Sequence, residues 1–302
     1  MAPNLYTGAM RSVSRSERPA LTLLATGAML VATVAVTGSQ TRLRLPFDIV
    51  PGAVYVALLG LPMLWRQTGQ PGSGPDLQLG AYGGTAYTMP SGLRLTQPHG
   101  TDLRFGNIAW EGEPFRPPPY YGLRAIYWLP STRFGLMGDF THIKARAVKA
   151  DEVDQSGTRT GSTVPAREQL SATFKRLEFT HGYNLLTVNL LRRGTLRRSG
   201  LIPYAGAGIG VAYPHVEVQR AGAPVESRTY SYQLTGPALQ VLGGCEWRFG
   251  RHLSVFAEYK LSCAMIRGAL VGGGKVSTNL CTHQFLAGPA LHLRPREAAA
   301  VP

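Results

Sequence analysis

The 302-residue chain carries little that encodes a helix. Beyond residue 70 no long run places apolar residues at helical spacing, which argues against a helical protein. Its 36 glycines and 22 prolines point the same way, toward many turns and crowded strands. Familiar catalytic signatures are missing too: there is no nucleophile elbow, no zincin helix and no paired CxxC. Acidic residues number only 17 against 31 lysines and arginines, and the formal net charge is +14. Such a balance favours an anionic partner. No basic helix or single-strand platform accompanies it, so the expectation is no nucleic acid.

What the sequence does contain is eight alternating segments between residues 76 and 293. They are Asp76–Thr88, Tyr120–Leu129, Arg133–Val148, Tyr183–Leu191, Leu201–Tyr213, Thr235–Trp247, His252–Ser262 and Cys281–Leu293. Long polar loops and very short turns alternate between them. That rhythm suits a small transmembrane β-barrel, with long loops at one rim and tight turns at the other. The predicted fold is all-β: an eight-stranded antiparallel transmembrane β-barrel over residues 71–302, preceded by an apolar N-terminal segment over residues 1–70. An even strand number brings both termini to one rim.

Alternation by itself fits a soluble barrel as well. On one face of the second segment stand Tyr121, Leu123, Ala125 and Tyr127, and on the other Gly122, Arg124, Ile126 and Trp128. In a soluble barrel Arg124, Asp139, Glu258 and Lys260 face water; in a membrane barrel they form a paired network in the lumen. Nine aromatics, Tyr120, Tyr121, Tyr127, Trp128, Tyr183, Tyr204, Tyr213, Trp247 and Tyr259, lie mostly near segment ends, where interfacial girdles sit, and favour the membrane. So does the N-terminus. Arg11, Arg15 and Arg18 precede the apolar run 20–37, as in a secretory signal or an inner-membrane anchor. A second run, Phe47–Trp65, is also long enough to span, and Pro71–Pro75 is a linker. The expected location is the outer membrane of a Gram-negative bacterium, as a monomer.

Residues 1–70 hold six Lys/Arg and two Asp/Glu, a net +4, which leaves +10 on residues 71–302. In an outer leaflet the abundant anion is phosphorylated lipid A, the expected partner. Arg192, Arg193, Arg197 and Arg198 read as a solvated turn. Of the three cysteines, Cys263 and Cys281 flank the last loop on neighbouring strands and are placed to pair, whereas Cys245 lies near the opposite rim. Gly206, Gly208 and Gly210 imitate a dinucleotide loop, but no helix follows. They read instead as an inner face that makes room for Trp128 or Arg124, with Ala205, Ala207, Ile209 and Val211 outside.

Chemistry gathers at the long-loop rim: His142 and Lys144, Glu178 and His181, His215 and Glu217, Tyr230 and Tyr232. His215 and Glu217 are two apart and share a strand face. Imidazoles and carboxylates there serve as acid and base, or hold a divalent metal through His215 and Glu217. A rim of salt bridges and hydrogen bonds is the alternative. Lys144, Arg116, Tyr230 and Tyr232 are the candidate substrate-binding groups.

Phe115–Trp128 (FRPPPYYGLRAIYW), Asp139–Ala145 (DFTHIKA), Leu177–Thr187 (LEFTHGYNLLT), Pro203–Val218 (PYAGAGIGVAYPHVEV), Tyr230–Gln240 (YSYQLTGPALQ) and Val255–Lys260 (VFAEYK) together resemble the outer-membrane β-barrel family that includes the rhizobial lipid A oxidase. The resemblance runs in order over residues 76–293. It implies an eight-stranded barrel and, for the oxidase, oxygen-dependent oxidation of the proximal glucosamine of lipid A to 2-aminogluconate with release of hydrogen peroxide. Molecular oxygen is then the co-substrate. Two other classes remain open: a non-catalytic structural or adhesive barrel, and a lipid A deacylase-type barrel, for which Ser171 and Ser231 are candidate nucleophiles. The chain departs from the pattern of bacterial barrels in continuing past Leu293 without a terminal aromatic residue.

Overall fold

The computed structural model describes residues 76–194, 200–249 and 252–293. Both N-terminal apolar runs, the Pro71–Pro75 linker, Arg197, Arg198 and the C-terminal tail lie outside them.

Eighteen strands follow one another among the described residues. The first four are β1 (Asp76–Thr88), β2 (Ser91–Gln97), β3 (Thr101–Ile108) and β4 (Trp110–Glu111). Next come β5 (Tyr121–Trp128), β6 (Phe134–Ile143), β7 (Arg146–Ala147), β8 (Glu152–Arg159), β9 (Ser162–Thr163), β10 (Arg167–Gln169) and β11 (Phe174–Glu178). The rest are β12 (Tyr183–Arg193), β13 (Leu201–Ala212), β14 (His215–Arg220), β15 (Thr229–Tyr232), β16 (Gly236–Arg248), β17 (Leu253–Ala269) and β18 (Lys275–Leu293).

Eight of these close a barrel in the order β1-β5-β6-β12-β13-β16-β17-β18, with β18 pairing back onto β1. Every neighbouring pair is antiparallel. Closure leaves no unpaired barrel edge, which is what a bilayer demands of strands. The direction of the alternation decides between water and lipid. Leu123, Leu136, Leu186, Val188, Leu190, Ile209, Leu239 and Val241 are exposed on the outside, while Arg124, Asp139, Glu258 and Lys260 are buried inside. A soluble barrel would have them the other way round.

The lumen is filled by side chains. Arg124 Nη1 donates to Glu258 Oε2 at 2.8 Å and to Tyr204 Oη at 3.1 Å. Lys260 Nζ donates to Asp139 Oδ2 and to Tyr82 Oη. Gln240 joins Asp139 to Asn189. Neighbouring glycines leave room for the largest of these: a Cβ on Gly122 would lie 2.0 Å from the Tyr82 ring, and one on Gly135 would lie 2.6 Å from Trp128.

Four sequence expectations are corrected here. The long-loop side is not a set of polar loops. Strands β15-β14-β11-β7-β4 make a separate sheet, and β2, β3, β8, β9 and β10 extend the barrel sheet beyond β18. Leu93, Leu95, Phe105, Phe174, Leu177 and Val216 share one buried core, with Phe105 and Phe174 ring centroids 5.5 Å apart. The interval after Ser262 is likewise strand, because β17 and β18 run on beyond the pairing with β16 as a hairpin. Among the girdle aromatics, Tyr120, Trp128, Tyr183 and Tyr204 point inward, Tyr259 is half-buried, and Tyr121, Tyr127, Tyr213 and Trp247 are exposed. The third correction is the glycine run of β13, which makes room for Leu191, Asn189 and Thr187 of β12 rather than for Trp128 or Arg124, and whose Ala205 is buried. Finally, Arg193 is not a solvated turn residue: its guanidinium lies 4.4 Å over the Trp128 ring and 3.5 Å from Asp76. The pairing that the sequence allowed is made, Cys263 being joined to Cys281 directly across β17 and β18.

Candidate functional site

The antiparallel pairing of β11 with β14 sets Glu178 opposite Glu217, and β14 with β15 sets His215 opposite Tyr232 and Glu217 opposite Tyr230. Two buried carboxylates side by side need counter-charge. Arg176 supplies it, donating through Nη1 to Glu178 Oε1 at 2.9 Å and to Glu217 Oε1 at 2.8 Å. Arg228 also pairs with Glu217 Oε1. Both arginines thus converge on one oxygen of Glu217, whose side chain is fully buried.

The other oxygen is left over. Glu217 Oε2 is buried with no hydrogen-bond partner, as is Nδ1 of His215. His181 Nδ1 lies 3.4 Å from that oxygen. Donor atoms of His181, His215 and Glu217 all fall within 4.8 Å of one another. Burial, together with Glu178 alongside, pushes the Glu217 carboxyl above its ordinary range. Burial also lowers His215, helped by His181 and Arg228, so that ring is neutral at pH 7 and keeps a lone pair.

Tyr230 and Tyr232, the expected substrate-binding tyrosines, are exposed at this rim and both contact the histidines. Tyr230 Oη sits 3.2 Å from His181 Nε2, and Tyr232 Oη donates to the His181 carbonyl at 2.7 Å. The His215 ring meets both tyrosines edge-to-face, at 4.2 and 4.7 Å. With Nε2 of His181 engaged by Tyr230, Nδ1 is turned toward Glu217.

A cavity of about 210 Å³ opens beside this cluster, lined by Glu113, Arg116, Lys144, Arg146, Arg176, Glu178, His181 and Glu217 among others. Arg116, expected to bind substrate, does reach it, with an exposed guanidinium 3.1 Å from Glu113. Lys144 is less available than expected. Its Nζ donates to the carbonyls of Arg116 at 2.6 Å and Pro117 at 3.1 Å, fixing the wall, and burial lowers its pKa. His142 stands apart from the other two histidines: its Nδ1 bonds Asn184 Oδ1 at 2.9 Å and its ring stacks on Tyr121. The structure therefore brings His181, His215, Glu217 and Glu178 together with Arg116, and holds His142 aside. Arg176, Arg228, Arg146 and Glu113 were missed. Arg176 had a faint signal, sharing a strand face with Glu178; Arg228, on a loop, had none.

A closed antiparallel barrel with an apolar exterior, charges inside and a folded long-loop rim defines the class. It is an outer-membrane β-barrel protein. No family model matches the chain, and no curated protein does. Among solved structures it is similar to Neisserial surface protein A, at 14% identity over 74% of this chain and 99% of that one, with a TM-score of 0.36. It is also similar to the outer membrane protein OprG from Pseudomonas aeruginosa (12% identity, 74% and 98% coverage, TM-score 0.38). A third is Ail of Yersinia pestis, solved with the heparin analogue sucrose octasulfate (10%, 73% and 99%, TM-score 0.29). Likeness at this level says nothing of activity or ligand.

Proposed function

We propose that this barrel is an outer-membrane enzyme that oxidises the proximal glucosamine of lipid A to 2-aminogluconate, with molecular oxygen as electron acceptor. The observation that carries the reading is the Glu217 carboxylate, buried between two imidazoles and two guanidiniums on the long-loop rim. The sequence resemblance supports the substrate; the site supports proton and charge handling there.

Oxidation begins at a C1 hemiacetal. A base removes the hydroxyl proton, C1 gives up a hydrogen with its electron pair, and the C1–O bond becomes a lactone carbonyl. The proton and hydride equivalent reduce one O2 to H2O2. Water then opens the lactone, so the net gain is one oxygen atom. His181 is the base best placed: its ring is half exposed toward the cavity, and Glu217 at 3.4 Å steadies the imidazolium that forms. Arg116 and Arg176 line the same cavity and hold anionic groups of the lipid. A barrel with no free edge needs no second copy to close, which supports a monomer.

Lipid A from a host lacking such enzymes but supplying lipid A with a free C1 hydroxyl, and expressing this chain, is analysed by mass spectrometry with and without oxygen. The expected result is an oxygen-dependent gain of about 16 mass units, one oxygen atom. An unchanged spectrum, with the protein folded in the outer membrane, sinks the reading in favour of a structural or adhesive barrel.

A further inference from the structure

We propose that His181, His215 and Glu217 form a binding site for one divalent first-row transition-metal ion. The set is two imidazoles and one carboxylate, a donor combination that leaves coordination positions open. Three features of the geometry point there. Glu217 Oε2 and His215 Nδ1 are buried polar atoms without partners, on side chains with almost no exposure, and such orphans are costly unless something binds them. Arg176 and Arg228 both engage Oε1, leaving Oε2 as a single-oxygen ligand. Tyr230 holds Nε2 of His181, the outer-shell contact that fixes the tautomer and orientation of a ligating histidine.

Spacing fits as well. Bonds of about 2.0–2.2 Å place donors a little over 3 Å apart. His181 Nδ1 and Glu217 Oε2, at 3.4 Å, already meet that, and the remaining gaps of up to 4.8 Å close by a small swing of the half-exposed His181. Glu178 falls outside this donor set, its Oε1 accepting from the same Arg176 Nη1 that engages Glu217 Oε1. When bound, the ion would supply the one-electron chemistry that O2 reduction needs and would occupy the Nδ1 lone pair of His181, so that in the loaded site the hydroxyl proton passes to Glu178, the other carboxylate lining the cavity. That role rests on the oxidase reading; the binding does not.

Folded barrel in detergent is stripped with a chelator and titrated anaerobically with Co(II) and Fe(II). Metal content and the visible Co(II) spectrum are the readouts. The expected result is one equivalent bound, lost in H181A and E217Q, and weakened about tenfold in Y230F, the usual scale for an outer-shell contact. Because His181 is exposed, H181A keeps its fold, checked by heat-modifiable migration. No ion on folded wild-type protein, or equal binding by H181A, overturns the site. Binding with unmodified lipid A sinks the oxidase reading and leaves the site standing; lipid A oxidised by metal-free protein removes the site's role in oxidation.

Discussion

Lys260 reaches across the lumen to Asp139, Nζ to Oδ2 at 2.5 Å, with both side chains fully buried. The pair sits among Tyr82, Gln240 and Thr141, and the Arg124–Glu258 pair lies beside it, with Glu258 Oε1 3.6 Å from Lys260 Nζ. Four charges sum to zero there. Removing one leaves its partner buried and uncompensated, at a cost of about 3–5 kcal/mol. K260M or D139L alone is therefore expected to lower the urea midpoint of the refolded barrel sharply. The double variant K260M/D139L should recover part of the loss, since no unpaired charge remains. A double variant no better than the worse single one would show that the pair does not act as a unit.

The three rim histidines are not equivalent. His181 lines the cavity and His215 stands behind it against Glu217, whereas His142 is committed to Asn184 and stacked on Tyr121. General acid–base groups contribute about 100-fold or more, so H181A and H215A should each reduce lipid A oxidation at least that far. H142A should cost less than about tenfold. Product ion ratios from expressing cells measure this, with heat-modifiable migration as the folding control. Equal losses in all three variants would contradict the placement.

The barrel was legible in the sequence because a bilayer forces a strict period of two. Tyr121, Leu123 and Tyr127 must face lipid while Arg124 must not, and the register follows from that alone. The paired charges of the lumen were legible for the same reason. The sheet of β4, β7, β11, β14 and β15 was not. In β14 His215, Glu217 and Gln219 alternate with Val216 and Val218, yet all five are buried, and alternation by itself does not tell that the polar face is covered as well as the apolar one. The site was half legible: His215 and Glu217 are two apart on one strand, but Arg176 and Arg228 reach Glu217 only through the β11–β14 pairing and a loop return. Aromatics misled because Tyr120 and Tyr204 serve lumen hydrogen bonds, a use that composition does not separate from an interfacial girdle.

Acid should loosen the edge of the long-loop extension first. Glu168 on β10 accepts from Arg159 at 2.6 Å and Gln155 at 3.0 Å, both on β8. The bond from Arg159 is the main reason its pKa is lowered from the ordinary 4.5. A carboxyl depressed in the folded state contributes stability that is complete above the ordinary value and is lost as pH falls through the folded one. Amide exchange across β8 and β10 should therefore accelerate in wild-type protein as pH falls below the ordinary carboxyl value, and E168Q should exchange fast already at neutral pH with little further change. An acid response identical in E168Q would assign it to another group.

Among the described residues, the serine hydroxyl bonded to a histidine ring belongs to neither Ser171 nor Ser231 but to Ser254, 2.9 Å from His292 Nε2, with His292 Nδ1 3.0 Å from Asp76 Oδ1. Those are the distances of a serine–histidine–aspartate triad, and a deacylase would need one. The surroundings oppose that use. Glu246 Oε1 also lies 3.0 Å from Nε2, so both ring nitrogens face carboxylates, and the nitrogen that would have to take the proton from Ser254 is already engaged by Glu246. Arg248 ties the two carboxylates together, and the hydroxyl is buried in the lumen at the turn rim, on the inner side of a wall whose outer side meets acyl chains. The cluster joins β1, β16, β17 and β18, and so fastens the seam where the barrel closes. S254A is expected to leave every acyl chain of lipid A in place and to cost about 1 kcal/mol of barrel stability, one buried hydrogen bond. An acyl chain lost in cells expressing the wild type and retained with S254A would make the seam an active site and the oxidase reading wrong.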